Sequence, residues 1–201
     1  MKVTVIDYRA GNVTSVERAL RRLGTEVSAA NRPEEILSAT CLILPGVGHC
    51  AALMGALDAQ EIRNPLLERI ADGIPFLGIC LGLQALYESS DEAPGFAGLG
   101  LFKGRVSKLP QTVKLPHMGW NQLRASRPSA LLRNISPEAY FYFAHSYAAP
   151  DSGPENTALA THGRDFMAIA EHQNMIGVQF HPEKSGAPGA QFLENFLRRA
   201  A

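Results

Sequence analysis

The regular alternation of strand-type and helix-type segments over the first ninety residues constrains the fold more than any other feature. Residues 3–7 form a short apolar run of strand type. Residues 13–23 then space Val13, Val16, Leu20 and Leu23 as one face of a helix, with Gly24 as a stop. Residues 26–30 predict a second strand, and 41–44 a third, cut off by Pro45-Gly46-Val47-Gly48. A helix is expected over 51–71, interrupted at Asn64-Pro65. Residues 74–79 read as another buried strand, followed by a helix from Leu81 to about Glu88. Strands alternating with helices predict a three-layer α/β fold around a mixed, mostly parallel sheet. Ligands of such sheets bind beyond the carboxyl ends of the strands, and both glycine-rich turns, after Leu44 and around Cys80, fall at that edge.

The second half changes character. Short β-type runs separated by Gly, Pro and Lys extend from 98 to about 122. Further strands are expected at 139–143, 158–161, 167–171 and 175–180, and an amphipathic helix at 190–199 closes the chain. Without repeats, low-complexity stretches or linkers, residues 1–201 read as a single domain.

Acidic and basic residues balance at nineteen each, which argues against a polyanionic partner or a charged membrane surface. No apolar run spans a bilayer and the N-terminus lacks the pattern of a secretory signal, so a cytoplasmic protein is expected. Cys41, Cys50 and Cys80 form no CxxC pair and the six histidines show no ligand spacing, which disfavours a structural zinc site.

One of these cysteines has an unusual setting. Gly78-Ile79-Cys80-Leu81-Gly82 has the form of a nucleophile elbow with cysteine in place of serine. Small neighbours leave room for close approach, and a helix starting at Leu81 would aim its N–H groups and positive dipole end at the sulfur. The same residues also suit a buried apolar cysteine in a glycine-rich turn. A nucleophile needs a base, and the base an orienting partner. His181 and Glu183, at i and i+2 after an apolar run, would point to one side of an extended backbone, with Pro182 ending sheet pairing. Alone, they would equally suit an exposed turn. Gly46 and Val47 could turn a backbone N–H toward a reacting carbonyl and, with the N–H of Leu81, form an oxyanion hole. An ordinary turn would have the same sequence, but a phosphate-binding loop would not, because its Lys and Ser/Thr are missing. Taken together, the residues describe a Cys-His-Glu acyl-transfer site and leave the substrate unnamed.

Pro45-Gly46-Val47-Gly48, Gly78-Ile79-Cys80-Leu81-Gly82 with Gln84, and His181-Pro182-Glu183, in this order, resemble the class I (triad-type) glutamine amidotransferases, over essentially the whole chain. Leu115–Leu123 (LPHMGWNQL), YFAHSY and HPEKS narrow the resemblance to the glutaminase subunits of imidazole glycerol phosphate synthase. The resemblance implies the flavodoxin-like fold of that family. It also implies that Cys80 attacks the side-chain amide of glutamine, His181 moves protons and Glu183 orients His181. Gln84 and Glu92, with backbone around Ser146 and Tyr147, would bind glutamine, and Gly46, Val47 and Leu81 would complete the oxyanion hole. Ammonia would pass to a (β/α)8-barrel cyclase in a 1:1 heterodimer, with no metal or organic cofactor.

Asn12, Trp120, Asn121 and Lys184 match partner-facing positions. Trp120 would also suit a core anchor, and Asn12 a cap on the helix at Val13. The chain departs from the family pattern at Arg9, where a glycine is usual, and at Ala148, where an aromatic is. Three other readings stay open on the residues alone: another triad amidotransferase, a stand-alone cysteine hydrolase of γ-glutamyl bonds, and a flavodoxin-like binding module with an inert thiol.

Overall fold

The computed structural model describes residues 2–9 and 12–200. The chain runs β1 (Lys2–Ile6), α1 (Val13–Arg22), β2 (Glu26–Ala30), α2 (Pro33–Leu37), β3 (Leu42–Gly46), α3 (Cys50–Ala59), α4 (Arg63–Ala71), β4 (Phe76–Cys80), α5 (Leu81–Gln84) and β5 (Tyr87–Ser90). It continues through β6 (Phe102–Lys108), β7 (His117–Gln122), β8 (Arg124–Ala125), β9 (Tyr140–His145), β10 (Tyr147–Ala148), β11 (Asn156–Thr161), β12 (Asp165–His172), β13 (Met175–Val178) and α6 (Gly186–Ala200).

The main sheet has eight strands in the order β2-β1-β3-β4-β13-β12-β11-β8. The first five are parallel, and the last three join by antiparallel pairing. Side-chain alternation along the strands divides the core between the two faces. Val3, Val5, Ile43, Leu77 and Ile79 belong to the side that buries Val16 and Leu20 of α1 and Phe192, Leu193 and Phe196 of α6. Ile6, Leu42, Leu44 and Phe76 belong to the side covered by Leu53, Met54 and Leu57 of α3 and Leu66 of α4. A three-stranded sheet (β10-β6-β5) and the β7–β9 ribbon lie beside this framework.

Several element boundaries differ from the expectations. Strand β3 runs through Pro45 to Gly46 instead of stopping at Leu44. Its pairing with β1 ends at Ile43, so the missing Pro45 N–H is not needed on that side. The 51–71 helix is two helices, broken at 60–62 with Glu61 at φ +57, and Asn64-Pro65 lies inside the first turn of α4, where no N–H is required. The helix expected to Glu88 is a single turn, and its second half is strand β5. Helix α2 and strands β5, β7, β8 and β10 were not separately expected, and α6 starts four residues early, at Gly186.

Arg9 takes φ +66, the left-handed conformation a glycine would supply, with its N–H donating to Asp7 Oδ1 at 2.8 Å. Ala10 and Gly11, the rest of that departing turn, lie outside the described residues.

Candidate active site

Adjacent parallel strands bring the distant motifs together. Gly46 is the register partner of Cys80 across β3 and β4, and Val178 is the partner of Ile79 across β13 and β4. The chain leaving β13 therefore reaches His181 beside the end of β4, at the rim where β3 delivers Val47.

Cys80 ends β4 with φ +55 and ψ −104, a conformation that costs a non-glycine residue about 1–3 kcal/mol. Close backbone packing holds it there. A Cβ on Gly82 would lie 2.0 Å from the Leu44 carbonyl oxygen, and one on Gly78 would lie 2.5 Å from that of Gly82. With only four residues, α5 aligns few peptide dipoles, so the helix field anticipated at the sulfur is largely absent. Side chains act on the sulfur instead. The His181 ring lines the same cleft as the sulfur, and Gln179 Nε2 is 3.5 Å away.

His181 is extended (φ −101, ψ +95) and leads into a 3-10 turn, Pro182–Lys184. That turn, rather than strand alternation, swings Glu183 under the ring, placing Nδ1 3.0 Å from Oε1. The side chains of both residues are almost wholly buried. The His181 N–H donates to the Tyr142 carbonyl at 2.8 Å. The Ser185 hydroxyl donates to the His181 carbonyl at 2.6 Å and accepts the Tyr142 N–H at 3.0 Å. The serine of HPEKS thus clamps the histidine to β9, a role that spacing did not suggest.

Asn12 makes no helix cap; its amide donates to Glu183 Oε1 at 3.3 Å. Glu183 Oε2 is buried without a hydrogen-bond partner among the described residues. Burial alone would lower the His181 pKa. The charge and hydrogen bond of the facing Cys80 sulfur, followed by those of Glu183, outweigh burial and hold the imidazole up to about 10. The arrangement favours the imidazolium form of His181.

The sulfur opens into a cleft of about 190 Å³. Val47, Gly48 and Leu81 line one side; Gln84, Glu92, Ser146, Tyr147 and Lys184 contribute to the rest. Gln84 Nε2 donates to the Tyr147 carbonyl at 2.7 Å and to Gln179 Oε1 at 3.0 Å. Glu92 Oε2 accepts the Cys50 N–H at 2.8 Å, at the start of α3. Val47, the expected oxyanion donor, is engaged elsewhere. Its N–H donates to the Tyr8 hydroxyl at 3.2 Å, and that hydroxyl donates to the Val47 carbonyl at 3.3 Å. Burial, opposed by the Val47 contact and reinforced by the Cys80 charge, pushes the Tyr8 phenol up to about 12 and keeps it protonated.

Trp120 is 56% exposed, which rules out the core-anchor alternative. It meets Tyr142 edge-on at 5.9 Å, and Lys184 Nζ stands 5.8 Å from the centre of the same ring. Met118 and Tyr140 are also exposed on the β7–β9 ribbon. Asn121 instead donates to the Thr161 carbonyl at 2.9 Å and approaches His117. Among the described residues, no group of three or more His, Cys, Asp or Glu side chains is arranged to hold a metal ion, and no helix is long and apolar enough to cross a membrane.

The family model for glutamine amidotransferase class-I matches residues 4–200. The chain is 45% identical over 195 residues to the imidazole glycerol phosphate synthase subunit HisH of Desulfitobacterium hafniense (strain Y51), covering 96% of this chain and 92% of that one. It is 42% identical over 203 residues to the subunit of the same name from Deinococcus radiodurans, covering 100% and 94%. Among solved structures, a glutamine amidotransferase superposes with TM-score 0.79 at 20% identity, covering 98% of each chain. PurLQS from Thermotoga maritima gives 0.78 at 20% identity, covering 100% and 99%. At that identity these two likenesses concern the fold, whereas the family match and the closer relatives concern kinship: the chain belongs to the class I glutamine amidotransferases and, within them, to the HisH subunits of imidazole glycerol phosphate synthase.

Proposed function

We propose that residues 1–201 form a single glutaminase domain, in which Cys80 is the nucleophile, His181 the proton carrier and Glu183 its orienting partner. The Cys80 sulfur attacks the carboxamide carbon of glutamine as a thiolate. The His181 imidazolium delivers its proton to the departing nitrogen, which leaves as ammonia and closes a thioester. His181, now neutral, takes a proton from water as the water attacks the thioester. Glutamate is released and the thiolate restored. Gln84, Glu92, Ser146 and Tyr147 form the walls that receive the glutamine. Gly46, Val47 and Leu81 form the oxyanion hole, once the Val47 N–H exchanges the Tyr8 hydroxyl for the developing oxyanion.

The observation that carries this reading is the joining of Cys80, His181 and Glu183 at the carboxyl ends of adjacent strands, around an open cleft. In this reading ammonia is used by a cytoplasmic (β/α)8-barrel cyclase, in a 1:1 heterodimer, to make imidazole glycerol phosphate and an aminoimidazole carboxamide ribotide. The names of the relatives support a partner subunit. The exposed Trp120 and the neighbouring Lys184 offer it a face, with Asn12 and Asn121 behind. The occupied Val47 N–H favours partner-dependent turnover over a stand-alone hydrolase.

Glutamine hydrolysis by the pure protein, measured alone and then with the cyclase and its ribonucleotide ligand, tests the proposal. Slow turnover alone and a large rise in the complex are expected. Full activity without a partner would favour the stand-alone hydrolase.

A further inference from the structure

Gln179, in the segment IGVQFHPEKS that supplies His181 and Glu183, has no role in the sequence reading, yet its side chain is fully buried and its amide touches the Cys80 sulfur. Which end of that amide faces the sulfur follows from its neighbours. The Tyr147 carbonyl can only accept, so the end of Gln84 that meets it at 2.7 Å is the nitrogen. The second hydrogen of that nitrogen points to Gln179 at 3.0 Å, which must present oxygen. The Gln179 nitrogen is left for the sulfur.

The same reasoning continues behind Tyr147. His145 Nδ1 lies 2.9 Å from the Tyr147 carbonyl and therefore carries a hydrogen. Burial keeps the ring neutral, down to about 3, so its Nε2 accepts. That Nε2 receives the Nδ1–H of His117 at 3.0 Å. Burial lowers His117 to about 4, so its own Nε2 accepts from Asn121 Nδ2 at 3.4 Å. Donation to the Thr161 carbonyl identifies that end of Asn121 as nitrogen. Two directed series therefore meet at the Tyr147 carbonyl: one arrives from β7 through His117 and His145, and the other starts at Gln84, which donates to this carbonyl and to Gln179, which in turn donates to the sulfur.

We propose that Gln179 is a positioning residue for the nucleophile: its side-chain N–H donates to the Cys80 thiolate, with its orientation held by Gln84 and the Tyr147 carbonyl. A donor binds a thiolate more strongly than a thiol, so this contact favours the reactive form. The Ala144 carbonyl, 3.9 Å from the sulfur, can accept only from the thiol and acts the other way. The inference rests on reading Cys80 as the nucleophile, but its test needs no glutamine.

Two variants remove the donor: Gln179→Met, of similar length and apolar, and Gln179→Glu, of the same shape but only an acceptor when ionised. The rate of Cys80 alkylation by iodoacetamide is followed against pH, with the modified peptide identified by mass. In both variants the curve should move to higher pH and the rate at neutral pH fall about tenfold, the scale of one lost charge-assisted hydrogen bond. kcat for glutamine should fall while KM stays within about twofold. Curves that superimpose on the unsubstituted protein, in variants with normal circular dichroism and melting, overturn the proposal.

A second measurement on the unsubstituted, 15N-labelled chain decides the matter if the variants do not fold. The Gln179 side-chain amide resonances should titrate with the midpoint of the alkylation curve and lose that titration in Cys80→Ala. Resonances that ignore the sulfur overturn the proposal. A chain that shows the titration yet never hydrolyses glutamine, even with the cyclase, overturns the functional reading and leaves this one standing.

Discussion

The side-chain amide of Asn12 donates at 3.3 Å to Oε1 of Glu183, the oxygen that also holds Nδ1 of His181 at 3.0 Å. Residues 171 positions apart thus share one carboxylate atom, at the point where α1 begins. Removing the amide in Asn12→Ala loosens the orienting group without touching the sulfur. The expected result is a fall of about three- to tenfold in kcat for glutamine, with KM nearly unchanged. The fall should appear with and without the cyclase. A loss confined to the complex would instead place Asn12 at the interface alone.

Cys80→Ala removes the proposed nucleophile and a little volume from the cleft. In the complex, glutamine-dependent product formation should drop to background while formation from added ammonium salts continues at its usual rate. Parallel assays with the two nitrogen sources check this. Joint loss would point to damaged folding or assembly.

Tyr8→Phe deletes the hydroxyl that receives the Val47 N–H and donates to the Val47 carbonyl. The peptide then lacks both contacts that hold it away from its proposed oxyanion role. Basal glutamine hydrolysis without the partner should rise several-fold, with a small loss of stability, about 1 kcal/mol. Unchanged or lower basal turnover would mean that the hydroxyl does not restrain the loop.

Two glycine-to-alanine changes should have opposite signs. The new methyl in Gly82→Ala would stand 2.0 Å from the Leu44 carbonyl oxygen, so stability should fall by about 3 kcal/mol or more, at the top of the usual overpacking range. Gly55→Ala, inside α3 with nothing within 4 Å of the new methyl, should gain roughly 0.5–1 kcal/mol. Urea midpoints of the two variants provide the comparison.

His117 and His145 make stability depend on pH. Their folded pKa values, about 4 and about 3, lie below the 6.5 of a free imidazole because burial disfavours the charged ring. The unfolded chain therefore binds more protons between pH 6.5 and about 4. The stability they confer is complete above pH 6.5 and drains away as pH falls through that window, by on the order of 1.4 kcal/mol per pH unit for each ring at most. Denaturant titrations from pH 7 to pH 4 should show this slope, and His117→Gln should reduce it. A slope unaltered by the substitution would assign the acid sensitivity to other groups.

Local patterning was enough to read most of the parallel half of the sheet, because β1 and β4 are short, largely apolar runs, and β2, with Glu26 and Ser28, is still a short segment that follows the Gly24 turn. It failed where one run serves two structures. Residues 81–88 are apolar enough for a long helix, but Tyr87 pairs with Phe102 and pulls the second half into β5. Helix α2 left a usable signal in Pro33 and in Glu35, whose carboxylate accepts the N–H groups of Asn31 and Arg32. Cys80, Gly46 and His181 could be picked out because each sits in a short motif. The roles of Gln179, Tyr8 and the His117–His145 pair could not be read in this way, although His117 lies in LPHMGWNQL and His145 in YFAHSY. Their meaning lies in partners 28 to 99 positions away, and no spacing rule reaches that far.

The junction of β3, β4 and β13 also governs timing. Cys80 is made about a hundred residues before His181, which follows a strand that must slot in beside the one already ending at the sulfur. A nascent or truncated chain that stops short of His181 therefore carries the cysteine without its proposed base. On the proposed roles, reactivity is conferred by closure of the sheet, so amide cleavage cannot begin before β13 has docked beside β4.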